Sequence, residues 1–384
     1  MIKREISNRC LELSKKYPVL TITGPRQSGK TTLARALFSE KSYVNLENPD
    51  ERALAIEDPR SFLSNYPDGG IFDEIQRAPD LVSYIQHIVD ESNANGQFIL
   101  TGSQQFEISG RISQSLSGRI ALIKLLPLSL KEIKSKQPID IDDLLIKGFY
   151  PGLHDKNIAA SDFFMNYFET YVQRDVRQLS NIENLQNFEK LVHLLAGRVG
   201  QLLNYNNLAD DLGVSQPTIK NWLTVLQASY VIFLLPPFYK KINKRLIKTP
   251  KLYFYDVGLA SYLLGIENIN HLKLHPLRGN LFENFVVIDF LKKRLNQVKR
   301  SNLYFYRDRS GHEVDLLLEE ALTLQAIEIK SAATANKDFS KGLEKLELIL
   351  KNQVKSKWII YNGDEEYSFN NCKLIPAGAT DEYY

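Results

Sequence analysis

The sequence predicts an α/β protein in three parts: a helix-covered parallel sheet, a helix-turn-helix followed by a β-hairpin, and a second, smaller α/β unit. Three observations carry this. From about residue 17 to 105, apolar runs of strand length alternate with segments of helical spacing, the pattern of a parallel sheet. Between Asn206 and Tyr255 a short helix, a glycine turn and a longer helix precede two apolar strands. Beyond about residue 270 comes a long helix, then three strands whose polar residues fall on one face. The bulk numbers agree: 384 residues, 43% hydrophobic and 24% charged, enough for two or three domains with real cores. A net charge of +3 excludes a histone-like polycation and says little about local patches.

The first strand is "YPVLTIT", residues 17–23, and the first long helix follows at "LARALFSEK". Between them Gly24 to Thr31, "GPRQSGKT", fits G-x-x-x-x-G-K-[ST] in the strand–loop–helix context that pattern needs. Phosphate requires backbone N–H groups pointing inward and a chain that comes close, hence glycines and a helix N-terminus. Gly24, Pro25, Arg26, Gln27, Ser28, Gly29, Lys30, Thr31 and Thr32 are therefore the expected nucleotide-binding residues. Lys30 is expected on the β- and γ-phosphates and Thr31 on Mg²⁺, with ATP as the nucleotide.

Further strands are expected near "SYVNLEN", at "GGIFDEI" and at "GQFILTGSQQ", with a helix at "LVSYIQHIVDESN". "GGIFDEI" places two acids at a strand end. Beside a P-loop, Asp73 is the expected metal ligand and Glu74 the base that orients and deprotonates water. Ser103, or Thr101, is a candidate contact to the γ-phosphate or that water from the adjacent strand end. Arg119 and then Arg174 are candidates for an arginine supplied by a neighbouring copy, which would make the protein a homo-oligomer.

Residues 124–160 break into short pieces with prolines, and 158–180 reads as one helix with an aromatic face. In "NNLADDLGVSQPTIKNWLTVLQASYVI", Leu208, Ala209 and Leu212 form a short apolar face. Gly213 permits the turn, Ser215 caps the next helix, and Ile219, Trp222, Leu223 and Leu226 bury its inner side. Gln216, Thr218, Lys220 and Asn221 face outward and suit bases or phosphates. The hairpin after it carries Lys240, Lys241, Lys244, Arg245, Lys248 and Lys251, read as a basic wing over 240–251. DNA is the expected partner.

In the last unit, Glu283 starts the helix "RGNLFENFVVIDFLKKRL". Strand periodicity puts Glu328 and Lys330 on one face of "AIEIKS", with Asp315 of "EVDLLL" beside them. Two carboxylates and a lysine converging, with Glu283 from the helix, suit metal-dependent phosphodiester cleavage. Asp315 and Glu328 would be metal ligands and Lys330 would position water. Lys292, Lys293, Arg294, Lys299, Arg300, Arg307 and Arg309 are expected to hold a phosphate backbone. His271 and His275 have one-turn spacing, but no further zinc ligands accompany them, so they read as surface residues.

Cys10 and Cys372 cannot make a disulfide framework, no run approaches the ~18–20 apolar residues of a membrane helix, and no signal peptide is evident. A cytoplasmic protein without membrane association is the expectation.

Taken together, "TGPRQSGKTTLA", "IFDEIQRAPD", "FILTGSQQF", "SLSGRIALIKLLPLSLKEI", "LLNYNNLADDLGVSQPTIKNWL", "LYFYDVGLASYLLG", "RGNLFENFVV", "YFYRDRSGHEVDLLLE" and "IEIKSA" resemble the prokaryotic AAA-type ATPases with a C-terminal region of unknown function. The resemblance covers nearly the whole chain. It implies the fold of an AAA-type core and a restriction-endonuclease-like C-terminal part; with the residue patterns above, the expected domains are a P-loop AAA-type core over 1–135, a helical lid or linker over 136–182, a winged helix over 183–262 and the nuclease-like domain over 263–384. It also implies ATP binding through Lys30, Thr31, Asp73 and Glu74. The expected function is Mg-dependent ATP hydrolysis by a protein acting on DNA, with DNA cleavage by the last domain open. The alternative is a nucleotide-operated switch or protein-interaction module with an inert nuclease-like domain.

Overall fold

The computed structural model describes residues 2–92, 94–103, 116–156, 158–176, 184–238 and 249–383, the side chains of 173–176 excepted. The chain divides into two compact units: Met1–Leu128 with 228–230 and 295–299, and the remaining residues.

The first unit is built on a parallel five-stranded sheet. Its strands are β1 (Val19–Thr23), β2 (Tyr43–Asn45), β3 (Gly70–Asp73), β4 (Phe98–Gly102) and β5 (Ile120–Lys124), in the order β2-β3-β4-β1-β5. Strand β1 is buried throughout, as a central parallel strand with helices on both faces must be. Alternating residues divide the apolar contacts between two cores. Leu20, Ile22, Ile71 and Ile99 pack with Ile6, with Cys10 of α1 (Ser7–Ser14) and with Leu33 and Ala34 of α2 (Lys30–Leu37). Val19, Phe72, Phe98 and Leu100 pack with Phe62, Leu81, Val82 and Ile85 from the helices over 59–92. Cys10 is a buried free thiol that burial pushes up to about 12, so it acts as a small apolar residue. The topology inserts β4 between β1 and β3, so the carboxyl ends of all three strands meet at one edge of the sheet.

The second unit holds a helical region and a six-stranded mixed sheet. The predicted helix over 158–180 is Ala160–Tyr167 continuing as π-helix over Phe168–Val176, and the rest of that prediction lies outside the described residues. Helices α3 (Leu185–Ala196), α4 (Tyr205–Leu212) and α5 (Gln216–Ala228) precede an antiparallel pair, β6 (Ile232–Leu235) and β7 (Lys251–Phe254). Gly213 stands at φ 63° between α4 and α5, a conformation that favours glycine. Ser215 Oγ accepts from the Thr218 N–H at 3.2 Å, as expected of the cap.

The sheet runs in the order β12-β13-β11-β10-β9-β8. Here β8 is Leu303–Arg307, β9 Glu313–Glu320, β10 Thr323–Lys330, β11 Val354–Tyr361, β12 Tyr367–Phe369 and β13 Cys372–Pro376. The parallel pair β10–β11 is joined through helix α7 (Lys341–Leu350), whose Leu343 and Leu346 pack on Leu317, Ala326 and Ile359. The long helix α6 (Arg278–Asn296) is buried over most of its length. Its Asn284 side chain takes both backbone groups of Phe254, accepting from N–H at 2.6 Å and donating to C=O at 3.0 Å, which fixes β7 against the helix.

Candidate functional site

The phosphate loop leaves β1 at Gly24, where a Cβ would stand 2.0 Å from the Leu125 carbonyl oxygen, so only glycine fits. Gly29, at φ 94°, opens α2. Lys30 is the first residue of that helix. Its Nζ donates to the carbonyls of Gly24 and Pro25 at 3.0 and 2.9 Å, folding over the loop. Burial lowers its ammonium from the usual lysine range, and Glu74 and Asp73 oppose that shift.

Thr31 Oγ1 donates to both carboxylate oxygens of Asp73, at 3.0 and 2.8 Å. Asp73 ends β3 and is 5% exposed. It also accepts from Thr101 of β4 and from the Tyr43 hydroxyl, the latter at 2.9 Å. Glu74 follows in the left-handed region, at φ 57° and ψ 49°. A bulky residue pays to stand there, and such strain gathers at functional sites. The turn carries its carboxylate away from that of Asp73, onto the Ser103 hydroxyl at 3.0 Å and the Gln76 amide. Gln76 Nε2 also reaches Ser103 Oγ at 3.2 Å. Neighbouring in sequence, the two acids therefore have separate partners. A cavity of about 520 Å³ beside the loop is lined by residues including Thr31, Thr32, Arg35, Lys41 and Tyr43. A cavity of about 670 Å³ lined by residues including Leu63, Tyr66, Tyr84 and Ile88 involves none of the predicted residues.

Sequence reasoning missed Tyr43, Gln76 and the Thr101–Asp73 bond. Arg119 pairs with Asp90. It precedes β5, whose Ile120 lies beside Val19, so it sits at the opposite end of the sheet from the phosphate loop of its own chain. Arg174 lies in the π-helical stretch.

In the helix-turn-helix region Ile219, Trp222, Leu223 and Leu226 are buried, while Lys220 and Asn221 are exposed. Lys240, Lys241, Lys244, Arg245 and Lys248 lie outside the described residues. Lys251 is a correction to the basic wing: it is 2% exposed and cannot meet a phosphate backbone in solvent. Lys292 and Lys293 are corrections of the same kind. Both are buried, Lys292 over the Phe149 ring at 3.9 Å and Lys293 beside Asp289 at 3.3 Å.

Of the predicted C-terminal quartet, Glu283 and Asp315 meet at Lys251 together with Glu313, while Glu328 and Lys330 pair with each other. Glu283 Oε1 lies 2.8 Å from Lys251 Nζ and accepts from Tyr253 at 2.5 Å. Glu313 is 2.5 Å from the same ammonium and Asp315 is 3.7 Å away. Asp315 also accepts from the Ile329 N–H at 2.8 Å, and Lys330 pairs with Glu328 at 2.5 Å. Burial pushes Glu283 up to about 7 against the pull of Lys251. Burial, then the Asp315 charge, pushes Glu328 up to about 8 against Lys330. Burial alone would lower Lys251, but Glu283, Asp315 and Glu313 outweigh it and hold the ammonium above the ordinary lysine range. Among the described residues, no three His, Cys, Asp or Glu side chains converge as a metal-ligand set, His271 and His275 included. No helix among them is long and apolar enough to cross a membrane.

The loop and the acid-ended strand beside it define a P-loop nucleotide-binding domain, and comparison with known proteins agrees. Residues 16–134 match the model of an AAA domain. Residues 139–270 and 278–380 match two domains of unknown function, DUF8612 and DUF4143. An uncharacterized protein of Mycobacterium tuberculosis is 29% identical over 391 residues, spanning 99% of this chain and 86% of that protein. One of Haemophilus influenzae is 24% identical, spanning 72% of this chain and 74% of its own. Among solved structures, the Walker-type ATPase of Pyrococcus abyssi is 17% identical with a TM-score of 0.45, covering 69% of this chain and 96% of that one. Residues 16–134 thus match an AAA domain and carry a P-loop on a parallel five-stranded sheet, followed by two regions that match domains of unknown function.

Proposed function

We propose that the protein binds ATP with Mg²⁺ at the phosphate loop, hydrolyses it, and couples that cycle to DNA. The observation that carries the ATPase reading is the hydrogen-bonded pair Thr31–Asp73, with Lys30 folded over the loop and Glu74 held separately by Ser103 and Gln76. Lys30 would exchange two carbonyl partners for phosphate oxygens, a charge-assisted and stronger pairing. The Thr31 hydroxyl and Asp73 carboxylate are the hard oxygens Mg²⁺ takes, and Tyr43 and Thr101 hold that carboxylate in place. When bound, the ion offsets negative charge on the transferring phosphoryl group. Glu74 takes the proton of the attacking water, and Ser103 and Gln76 set the direction of its carboxylate. A second copy of the chain supplying Arg119 belongs to this reading, and the Asp90 ion pair would have to open first.

The DNA reading rests on exposed Lys220 and Asn221 on α5, and on the basic run between the hairpin strands. We read the helix-turn-helix and hairpin as a winged helix and the C-terminal sheet as a nuclease-like frame. Duplex DNA is expected to raise ATP turnover at about 50 mM salt, and the stimulation should fade steeply by about 200 mM. Turnover indifferent to every nucleic acid tried would favour the nucleotide-operated switch instead.

A further inference from the structure

The geometry points to Lys251 as the resident cation of the C-terminal carboxylate cluster, and to a nuclease-like frame closed to metal-dependent phosphodiester cleavage. This deepens the nuclease-like reading of that sheet. It rests on the second unit alone, so ATP hydrolysis and DNA binding can hold or fail without touching it.

Cleavage by such a frame needs acid oxygens open to a divalent ion. Here the lysine ammonium lies against three of the acids, at 2.8 Å from Glu283, 2.5 Å from Glu313 and 3.7 Å from Asp315. The remaining oxygens are largely committed as well. Arg307 holds Glu313 at 2.5 Å, Lys330 holds Glu328 at 2.5 Å, and the Ile329 N–H holds Asp315 at 2.8 Å. Glu328 Oε2 is buried without a hydrogen-bond partner, one oxygen and far short of the octahedral set Mg²⁺ takes. The residues predicted as ligands, Asp315 and Glu328, therefore do not fit the metal.

The lysine cannot swing aside as a surface lysine would. Strand β7 pairs with β6 on one side and with Gln201–Leu203 on the other, and Asn284 clamps Phe254. That pairing fixes the backbone from which the ammonium reaches, and the side chain, 3% exposed, has no open solvent beside it. The ammonium ties the hairpin to α6 and β9 by charge, where the predicted chemistry would have put an ion.

The test is Mn²⁺ binding by the full-length, nucleotide-free protein, read by electron paramagnetic resonance. Wild type and Asp315→Asn are expected to bind Mn²⁺ alike. A wild-type Mn²⁺ site that Asp315→Asn abolishes would overturn the proposal, whatever other variants do. Lys251→Gln is expected to gain Mn²⁺ affinity by roughly tenfold or more, and to lose the gain when Asp315→Asn is added. A folded Lys251→Gln protein that binds Mn²⁺ no better than wild type would show that the lysine is not what excludes the metal, and would also overturn it.

Discussion

Replacing Glu74 by Gln is expected to slow ATP hydrolysis by about 10²–10⁴-fold, the range a positioned general base contributes, with ATP binding retained. The amide matches the carboxylate in size and still bonds Ser103, so the left-handed turn at residue 74 and the Thr31–Asp73 pair should persist. What it cannot do is take a proton. Steady-state turnover beside equilibrium binding separates the two properties. Normal turnover in Glu74→Gln would place the base elsewhere.

The second large effect is on stability. Lys251→Ala strips the shared partner from Glu283, Glu313 and Asp315; Arg307 still holds Glu313, but Glu283 and Asp315 lose their countercharge in a largely buried cluster, a loss of about 3–5 kcal/mol. Its pH dependence has a definite sign. Burial already lifts Glu283 from 4.5 to about 7 and Glu328 to about 8, so the folded chain holds protons there that the unfolded chain has released. Stability from a raised carboxyl is present below its unfolded value and falls as pH rises through the folded one. Removing the lysine takes away the charge that lowers Glu283, and lifts that carboxyl further. The variant should lie nearest wild type at about pH 5 and furthest from it above about pH 8. Denaturant unfolding at both values measures this, and an equal deficit at the two, or none, would contradict it.

These two sites differ in how far the residues alone disclose them. The run "VLTITGPRQSGKT" states its own geometry, because a strand rich in β-branched residues, close-approach glycines and a helix start each have a local cause. Asp73 is legible because a strand-ending acid beside a phosphate loop has one obvious place to go. Glu74 in the left-handed region is not legible, since nothing in "FDEIQ" requires positive φ. Tyr43 meets Asp73 only through the sheet order, and Gln76 turns back onto Glu74 only because of that left-handed turn. Lys251 reads as part of a basic wing because it closes a run of lysines. The corrective signal is period two: Lys251 and Tyr253 share one face of a buried strand, both reaching Glu283. Lys292 and Lys293 misled for a related reason, since α6 is covered on nearly every side and its charges must find partners inside.

The central claim is that Lys30 and the paired acids form a nucleotide site. Equilibrium dialysis of labelled ATP at fixed Mg²⁺ tests it most directly, with wild type against Lys30→Ala. The wild type should bind and the variant should bind roughly 10–10²-fold more weakly, the loss of charge-assisted hydrogen bonds to phosphate. Equal affinity in the two proteins, or a wild type that takes up no ATP, would contradict the account.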